Sequence, residues 1–411
     1  MLDKKYLLPK DALNLIIEKI PFKCLPPETV PIEEAYGRVT YKDIFAPEDL
    51  PGFNRSTVDG FAVRASDTFG AKETSPAYLT LKGDIPMGAI PDFSLNIGEA
   101  ASIATGGMLP EGADAVVMLE HVNVVSSDMI EVLRSVSPWE NVIFKDEDVK
   151  KGELIIPAGH RLRAQDIGGL AGVGIAEVKV AVKPRVAIIL TGDEIVPHTE
   201  KVTPGKVRDV NSFTLAGLST DAGAVPIKMG IVKDDYKLIK ETVQKAYEKA
   251  DVVLITGGTS AGVKDMTAQV IDELGSPGVL FHGVSIKPGK PIIAGVCNGK
   301  PVFGLPGHPV AVYICFELFV RPVIEHMMGL KDKKFKKLIK ARLARSIHSQ
   351  AGREDFIRVS LEEKNGTLLA TPLLSKSGLI MSLVKADGIL HIAAELLGIA
   401  EGEEVLVEII D

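Results

Sequence analysis

The chain has 411 residues, more than the roughly 100–200 of a usual domain, so it is expected to hold several domains. Hydrophobic residues make up 46% and charged residues 25%, the balance of an ordinary globular protein, and the net charge of −7 excludes a broad attraction to nucleic acid. No apolar run approaches the roughly 20 residues that cross a bilayer, and MLDKKYLLPKDAL lacks the continuous apolar centre of a signal peptide. A cytoplasmic protein without a membrane partner is therefore expected. The three cysteines, Cys24, Cys297 and Cys315, form no CxxC pair, which argues against a disulfide framework or structural zinc.

In chain order, Ala12, Leu13, Ile16, Ile17 and Ile20 recur at helical spacing and predict a helix over 9–20. A short segment over 32–39 leads towards a strand. From Ala46 the texture changes to short β-prone runs (77–82, 100–104, 115–119, 130–136) separated by Gly, Pro, Asn and Asp. A glycine-rich connector follows, with a short helix over 165–173 and a strand over 177–182, and reads as a return to the first domain. Strands over 186–190, 225–229, 252–255 and 302–304 then alternate with helices over 212–222, 235–250 and 266–274, closed by a long apolar helix over 310–327. The basic run 331–340 reads as a solvated linker, and short β segments (355–361, 366–372, 403–410) end the chain. The expected fold is multidomain α/β plus β. A central α/β domain with a parallel-rich sheet spans 183–328, and a β-rich domain (46–147) is inserted within a discontinuous domain made of 1–45 and 148–182. A small C-terminal β domain spans 329–411.

Ligands of an open α/β sheet bind beyond the carboxyl ends of its strands, which singles out the loops there. Thr191-Gly192-Asp193-Glu194 carries two carboxylates. Thr256-Gly257-Gly258-Thr259-Ser260-Ala261-Gly262 has the composition of an anion cradle, with glycines for close backbone approach and hydroxyl donors ahead of a helix. It is neither a GK[ST] phosphate loop nor a GxGxxG fingerprint, and alone it is as readily a tight connection. Asp265 is expected at the start of the following helix, either as an N-cap or as a ligand for Mg²⁺ beside a bound phosphate. Ser285-Ile286-Lys287-Pro288-Gly289-Lys290-Pro291 is a second anion candidate through its two lysines, with a solvated turn as the plain alternative. In the β-rich domain, the loops around Asn54–Asp59 and Thr105–Asp114 crowd polar, acidic and glycine residues. The eight histidines show no HExxH spacing and there is no GxSxG, so catalytic zinc and Ser–His–Asp chemistry are not indicated.

Together the segments STVDGFAVR, TGGMLPEGADAVVMLE, TGDE, TGGTSAGVKD, SIKPGKP and LPGHPVA, in this order, resemble the molybdopterin molybdenumtransferase family, which includes bacterial MoeA and the enzymatic domain of gephyrin. The resemblance runs from about residue 10 to the C-terminus. It implies an elongated homodimer whose sites form between the α/β domain of one subunit and the β-rich domain of the other. It also implies a reaction of adenylylated molybdopterin with molybdate that releases AMP and leaves molybdenum on the dithiolene. Carried over by motif, Asp59, Asp148, Glu194 and Asp265 are catalytic; Thr105, Gly257, Gly258, Ser260, Lys287, Lys290, Arg353 and Ser377 bind the cofactor precursor; and Glu194, Asp234 and Asp265 hold Mg²⁺.

The chain departs from the family pattern in four places. Gly283 stands near where a lysine is common, and His308 replaces the asparagine of LPGNPV. Asn54-Arg55-Ser56 replaces DNS, and Asp146-Glu147-Asp148 replaces Gly-Glu-Asp. Two other readings fit parts of the pattern: a molybdopterin adenylyltransferase, which shares the α/β domain and is also an expected partner, and a non-catalytic scaffold. Tungstate in place of molybdate fits the same residues.

Overall fold

The computed structural model describes residues 6–257, 261–332 and 337–410. Three six-stranded sheets organise the chain, each built where the sequence alternates short apolar runs with turn residues. In the central one the strands run in the spatial order Val225–Val232, Arg185–Thr191, Val252–Gly257, Lys300–Leu305, Ile293–Cys297 and Pro277–His282. The first four are parallel, and Ile293–Cys297 is antiparallel to both of its neighbours. Every parallel strand, and Pro277–His282 with them, therefore ends at one edge of the sheet. The five apolar residues of Val186-Ala-Ile-Ile-Leu190 are buried, as expected of a strand covered on both faces.

Helices Tyr236–Lys249 and Ala261–Leu274 cover one face, and Asn211–Asp221 with the Pro309–Met328 helical run covers the other. The N-terminal helix Pro9–Ile17 also packs on this second face, burying Ala12 and Ile16 in the α/β core. The long C-terminal helix is not uniform: a π-helical turn at Phe316–Val320 separates Pro309–Cys315 from Arg321–Met328. Pro322 has no N–H to give to the preceding turn, and the wider turn accommodates that loss. The glycine-rich loop also runs into its helix earlier than its composition suggests. The helix begins at Ala261, so Asp265 stands inside it and is not its N-cap. One internal glycine, Gly262, costs only about 1 kcal/mol against alanine, and the packed sheet face below offsets that.

The N-terminal segment and the glycine-rich connector are zipped together. Pro27–Pro31 pairs antiparallel with Glu177–Ala181, and Ile44–Phe45 with Leu154–Ile156. Between them the second sheet runs in the order Ala115–Met118, Gly60–Val63, Glu99–Ile103, Lys72–Ile85, Met129–Arg134, Val122–Ser126. The C-terminal sheet closes on itself. Glu354–Lys364, Thr367–Pro372, Leu338–Leu343, Glu404–Ile409 and Gly388–Ile392 pair in turn, and the last returns to the first to complete a five-stranded barrel. Part of the basic run expected to be a linker is thus a barrel strand, with Lys340 Nζ 2.8 Å from Glu404. Its lysines hide the strand because only Ala341 and Leu343 point into the barrel core. Among the described residues no helix is long and apolar enough to cross a membrane.

Phe303, fully buried in the central sheet, tests this core. Phe303→Ala should cost about 3–5 kcal/mol, measured as a fall in the denaturant midpoint of the α/β unit.

Candidate active site

The shared strand edge collects the loops that the sequence singled out. Thr191 and Gly257 are register partners on adjacent strands, and a Cβ at Gly257 would lie 1.7 Å from the Thr191 carbonyl oxygen. Only glycine lets the two strand ends run together there, and its φ of +137° is open to glycine alone. The next loop folds its own acid back: a Cβ at Gly192 would meet Glu194 Oε2 at 2.8 Å. Across the strand gap, the Asp234 N–H donates to Asp193 Oδ1 at 3.4 Å. Asp234 Oδ1 is shielded from solvent and accepts no hydrogen bond. Burial raises the Asp234 carboxyl above its ordinary value, and the Glu194 and Asp193 charges push it further in the same direction.

Asp193, Glu194 and Asp234 thus form one anionic cluster. Asp265 lies on the neighbouring helix. Among the described residues no three His, Cys, Asp or Glu side chains are arranged as a ready-made metal cage, so Glu194, Asp234 and Asp265 are not a preformed ligand set. Gly258 and Ser260, the heart of the expected phosphate cradle, lie outside the described residues. Beside the cluster opens a cavity of about 890 Å³, lined among others by Asp193, His198, Lys206, Phe213, Lys228 and Lys233.

The lysine segment meets the C-terminal barrel. Ile286–Lys287 adds to its sheet, with Lys287 in register with Asp355. Arg353 lies beside it, giving Nε to Asp355 Oδ1 at 2.8 Å, Nη2 to Oδ2 at 3.3 Å and Nη1 to Gln350 at 2.9 Å. Asp355 is fully buried, so the arginine neutralises it and still keeps N–H groups for a ligand. Ser377 reaches the same sheet edge from the barrel: its carbonyl accepts the Val310 N–H at 3.2 Å, and its Oγ lies 2.9 Å from His308 Nδ1.

In the β-rich domain the Asp59 carboxylate accepts both the Thr105 N–H at 2.7 Å and the Thr105 hydroxyl at 2.9 Å. These two bonds hold its carboxyl below the ordinary value. The Asn54–Asp59 and Thr105–Leu109 loops are locked together by Ser56 N–H to Gly107 O, Gly106 N–H to Ser56 O and Leu109 N–H to Asn54 O. Asp148 is exposed and held through its backbone N–H on Leu50 O at 3.0 Å. Among the described residues no hydrogen bond or ion pair joins Asp59, Thr105 or Asp148 to the α/β loops within one chain.

Sequence reasoning passed over two supports. Asn211 is buried and bridges strand ends, giving Nδ2 to Gly307 O at 2.8 Å, while its Oδ1 accepts nothing. Asp355 carries a sequence signal in its neighbour: Arg353 stands two residues before it, immediately ahead of the strand Glu354–Lys364.

Three family models cover the chain: the MoeA N-terminal region (domain I and II) over residues 8–174, a probable molybdopterin binding domain over 187–326, and the MoeA C-terminal region (domain IV) over 340–410. The Nostoc protein named molybdopterin molybdenumtransferase is 35% identical over 87% of this chain and 83% of its own. The chain belongs to the MoeA family. The Bacillus subtilis protein of the same name is 33% identical over 93% of this chain and 90% of its own. A crystal structure of a molybdopterin biosynthesis MoeA protein from Pyrococcus horikoshii superposes with a TM-score of 0.82 at 41% identity, covering 98% of this chain and 99% of that one.

Against the MoeA pattern the local departures are now legible. Asp146, where glycine is common, still adopts a left-handed backbone with φ of +62°, so the turn before Asp148 survives the change. His308 takes the place of an amide and keeps a hydrogen-bonding partner in Ser377.

Two measurements check the electrostatics. Thr105→Val removes one of the two bonds on Asp59 and should move its carboxyl upward, read by NMR titration. Asp234 has a raised carboxyl, so its contribution to stability is present below the ordinary aspartate range and is lost as pH rises through the folded value. Asp234→Asn should therefore raise the unfolding midpoint relative to wild type at pH 7, and the advantage should shrink towards pH 4.

Proposed function

We propose that the protein inserts molybdate into adenylylated molybdopterin with release of AMP, as a molybdopterin molybdenumtransferase of molybdenum cofactor biosynthesis. The observation that carries this reading is the pairing of an anionic cluster (Asp193, Glu194, Asp234) with a cationic segment (Lys287, Lys290, Arg353) contributed to one α/β sheet edge and the barrel docked on it. The substrate has matching parts: a phosphoanhydride with its cation, and an oxyanion beside two thiolates.

A divalent cation fits the first part. Asp234, crowded by two further carboxylates, is stabilised by a positive charge, and Mg²⁺ characteristically takes one or two carboxylates plus substrate phosphates rather than a complete protein cage. Glu194, Asp234 and Asp265 would hold it, and it would supply charge neutralisation on the phosphoanhydride. The chain's own groups do the rest. The Thr256-Gly257-Gly258-Thr259-Ser260 sequence supplies the glycines and hydroxyls suited to the substrate phosphates, and Lys287, Lys290 and Ser377 hold the oxyanion. The adjoining cavity accepts a substituent larger than a phosphate.

Asp59 is ionised and oriented by Thr105, which suits a base or an orienting group for water or a molybdate oxygen. Because, among the described residues, Asp59, Thr105 and Asp148 make no bond to the α/β loops of their own chain, we infer that a homodimer brings the β-rich domain of one subunit to the sheet edge of the other. Tungstate has the same shape and charge and fits the same donors.

Incubation with adenylylated molybdopterin, Mg²⁺ and molybdate should give stoichiometric AMP and a cofactor that activates an apo-molybdoenzyme. Absence of both products defeats the reading. Asp59→Ala and Asp265→Ala should each lower turnover by at least about a hundredfold. Wild-type turnover in both variants would instead favour a scaffold.

A further inference from the structure

The segment before the N-terminal helix runs alongside the lysine segment. Leu7 bridges Val284, the Ser285 N–H donates to Leu7 O at 2.8 Å, and the Ser285 hydroxyl donates to Tyr6 O at 3.4 Å. These contacts set the Tyr6 ring directly on Gly283. A Cβ at residue 283 would lie 2.4 Å from Tyr6 Cε1 and 2.7 Å from Cδ1, so any side chain there displaces the ring. The backbone makes the same demand, with a φ of +96° at Gly283. Over the face of that ring stands the Lys290 ammonium, 4.5 Å from its centroid. Among the described residues Lys290 makes no ion pair, so the tyrosine ring is the group that locates its charge.

We propose that Tyr6 is a positioning residue for oxyanion binding: seated on Gly283, its ring holds the Lys290 ammonium where the molybdate oxyanion is received. The proposal rests on reading Lys287 and Lys290 as the oxyanion contacts. A lysine on a free four-carbon stem loses side-chain entropy when it grips an anion, and a cation–π contact made beforehand reduces that loss. Gly283 and Tyr6 then act as a pair.

The test uses wild type, Tyr6→Phe, Tyr6→Leu, Lys290→Met and the Tyr6→Leu/Lys290→Met double variant. Molybdate affinity is measured by calorimetry without pterin, and molybdate KM and kcat are measured in the insertion assay. Tyr6→Phe keeps the ring and should stay within about twofold of wild type. Tyr6→Leu should weaken molybdate binding and raise its KM by roughly two- to fivefold, with kcat little changed. In the Lys290→Met background the same change should add nothing, which separates an action through Lys290 from a general loosening of the N-terminal segment. Wild-type affinity in Tyr6→Leu, equal losses with and without Lys290, or no measurable molybdate binding to wild type would each overturn the proposal. Failure of AMP release by wild type defeats the insertion reading alone, because the calorimetric comparison still decides the part played by Tyr6.

Discussion

Two residues of main chain, Ile286 and Lys287, tie the α/β sheet to the C-terminal barrel by pairing with Glu354 and Asp355. The cationic half of the site depends on this short ladder. It sets Lys287 beside the Arg353–Asp355 pair, and it fixes the barrel so that Ser377 reaches His308 and the Val310 N–H. Burying Asp355 is tolerable only because Arg353 answers its charge, and the same arginine is thereby held rigid at the strand end. The ladder therefore has a chemical result: positive groups from two structural units are assembled at or beside one pair of strands.

The opposite sign is assembled by a different route. Asp193, Glu194 and Asp234 sit together because the adjacent parallel strands 185–191 and 225–232 end in register, with Thr191 opposite Val232. Their mutual repulsion is a cost of holding three carboxylates at one edge, and it raises the Asp234 carboxyl beyond what burial alone would do. Asp59 is the counter-example, an exposed acid kept ionised by two bonds from Thr105. Carboxylates alike in sequence are thus separated in proton affinity by their surroundings.

Much of this was legible in the sequence because strand-end loops carry their chemistry in consecutive residues. Val186–Leu190 and the loop after it read directly as a buried strand followed by an acidic turn. Leu338–Leu343 did not, since its exposed Lys340 and Arg342 mask an alternation of only two inward residues. Nor did the π-helical turn before Pro322, where the apolar pattern is continuous and only the lost N–H marks the change. Asn211 and Tyr6 act through tertiary contacts with residues distant in the chain, and no local pattern announces them. Composition also misplaced Asp265: glycine and serine ahead of it suggested a loop, while packing on the sheet extends the helix back to Ala261.

Closure of the barrel has a consequence for the order of assembly during synthesis. Glu404–Ile409 pairs with both Leu338–Leu343 and Gly388–Ile392, and without it the ring is open. The acidic cluster needs only strands that leave the ribosome well before this one, whereas the barrel that carries Arg353 and Ser377 closes only once Glu404–Ile409 has been made. A nascent chain therefore forms its acidic edge before its basic one.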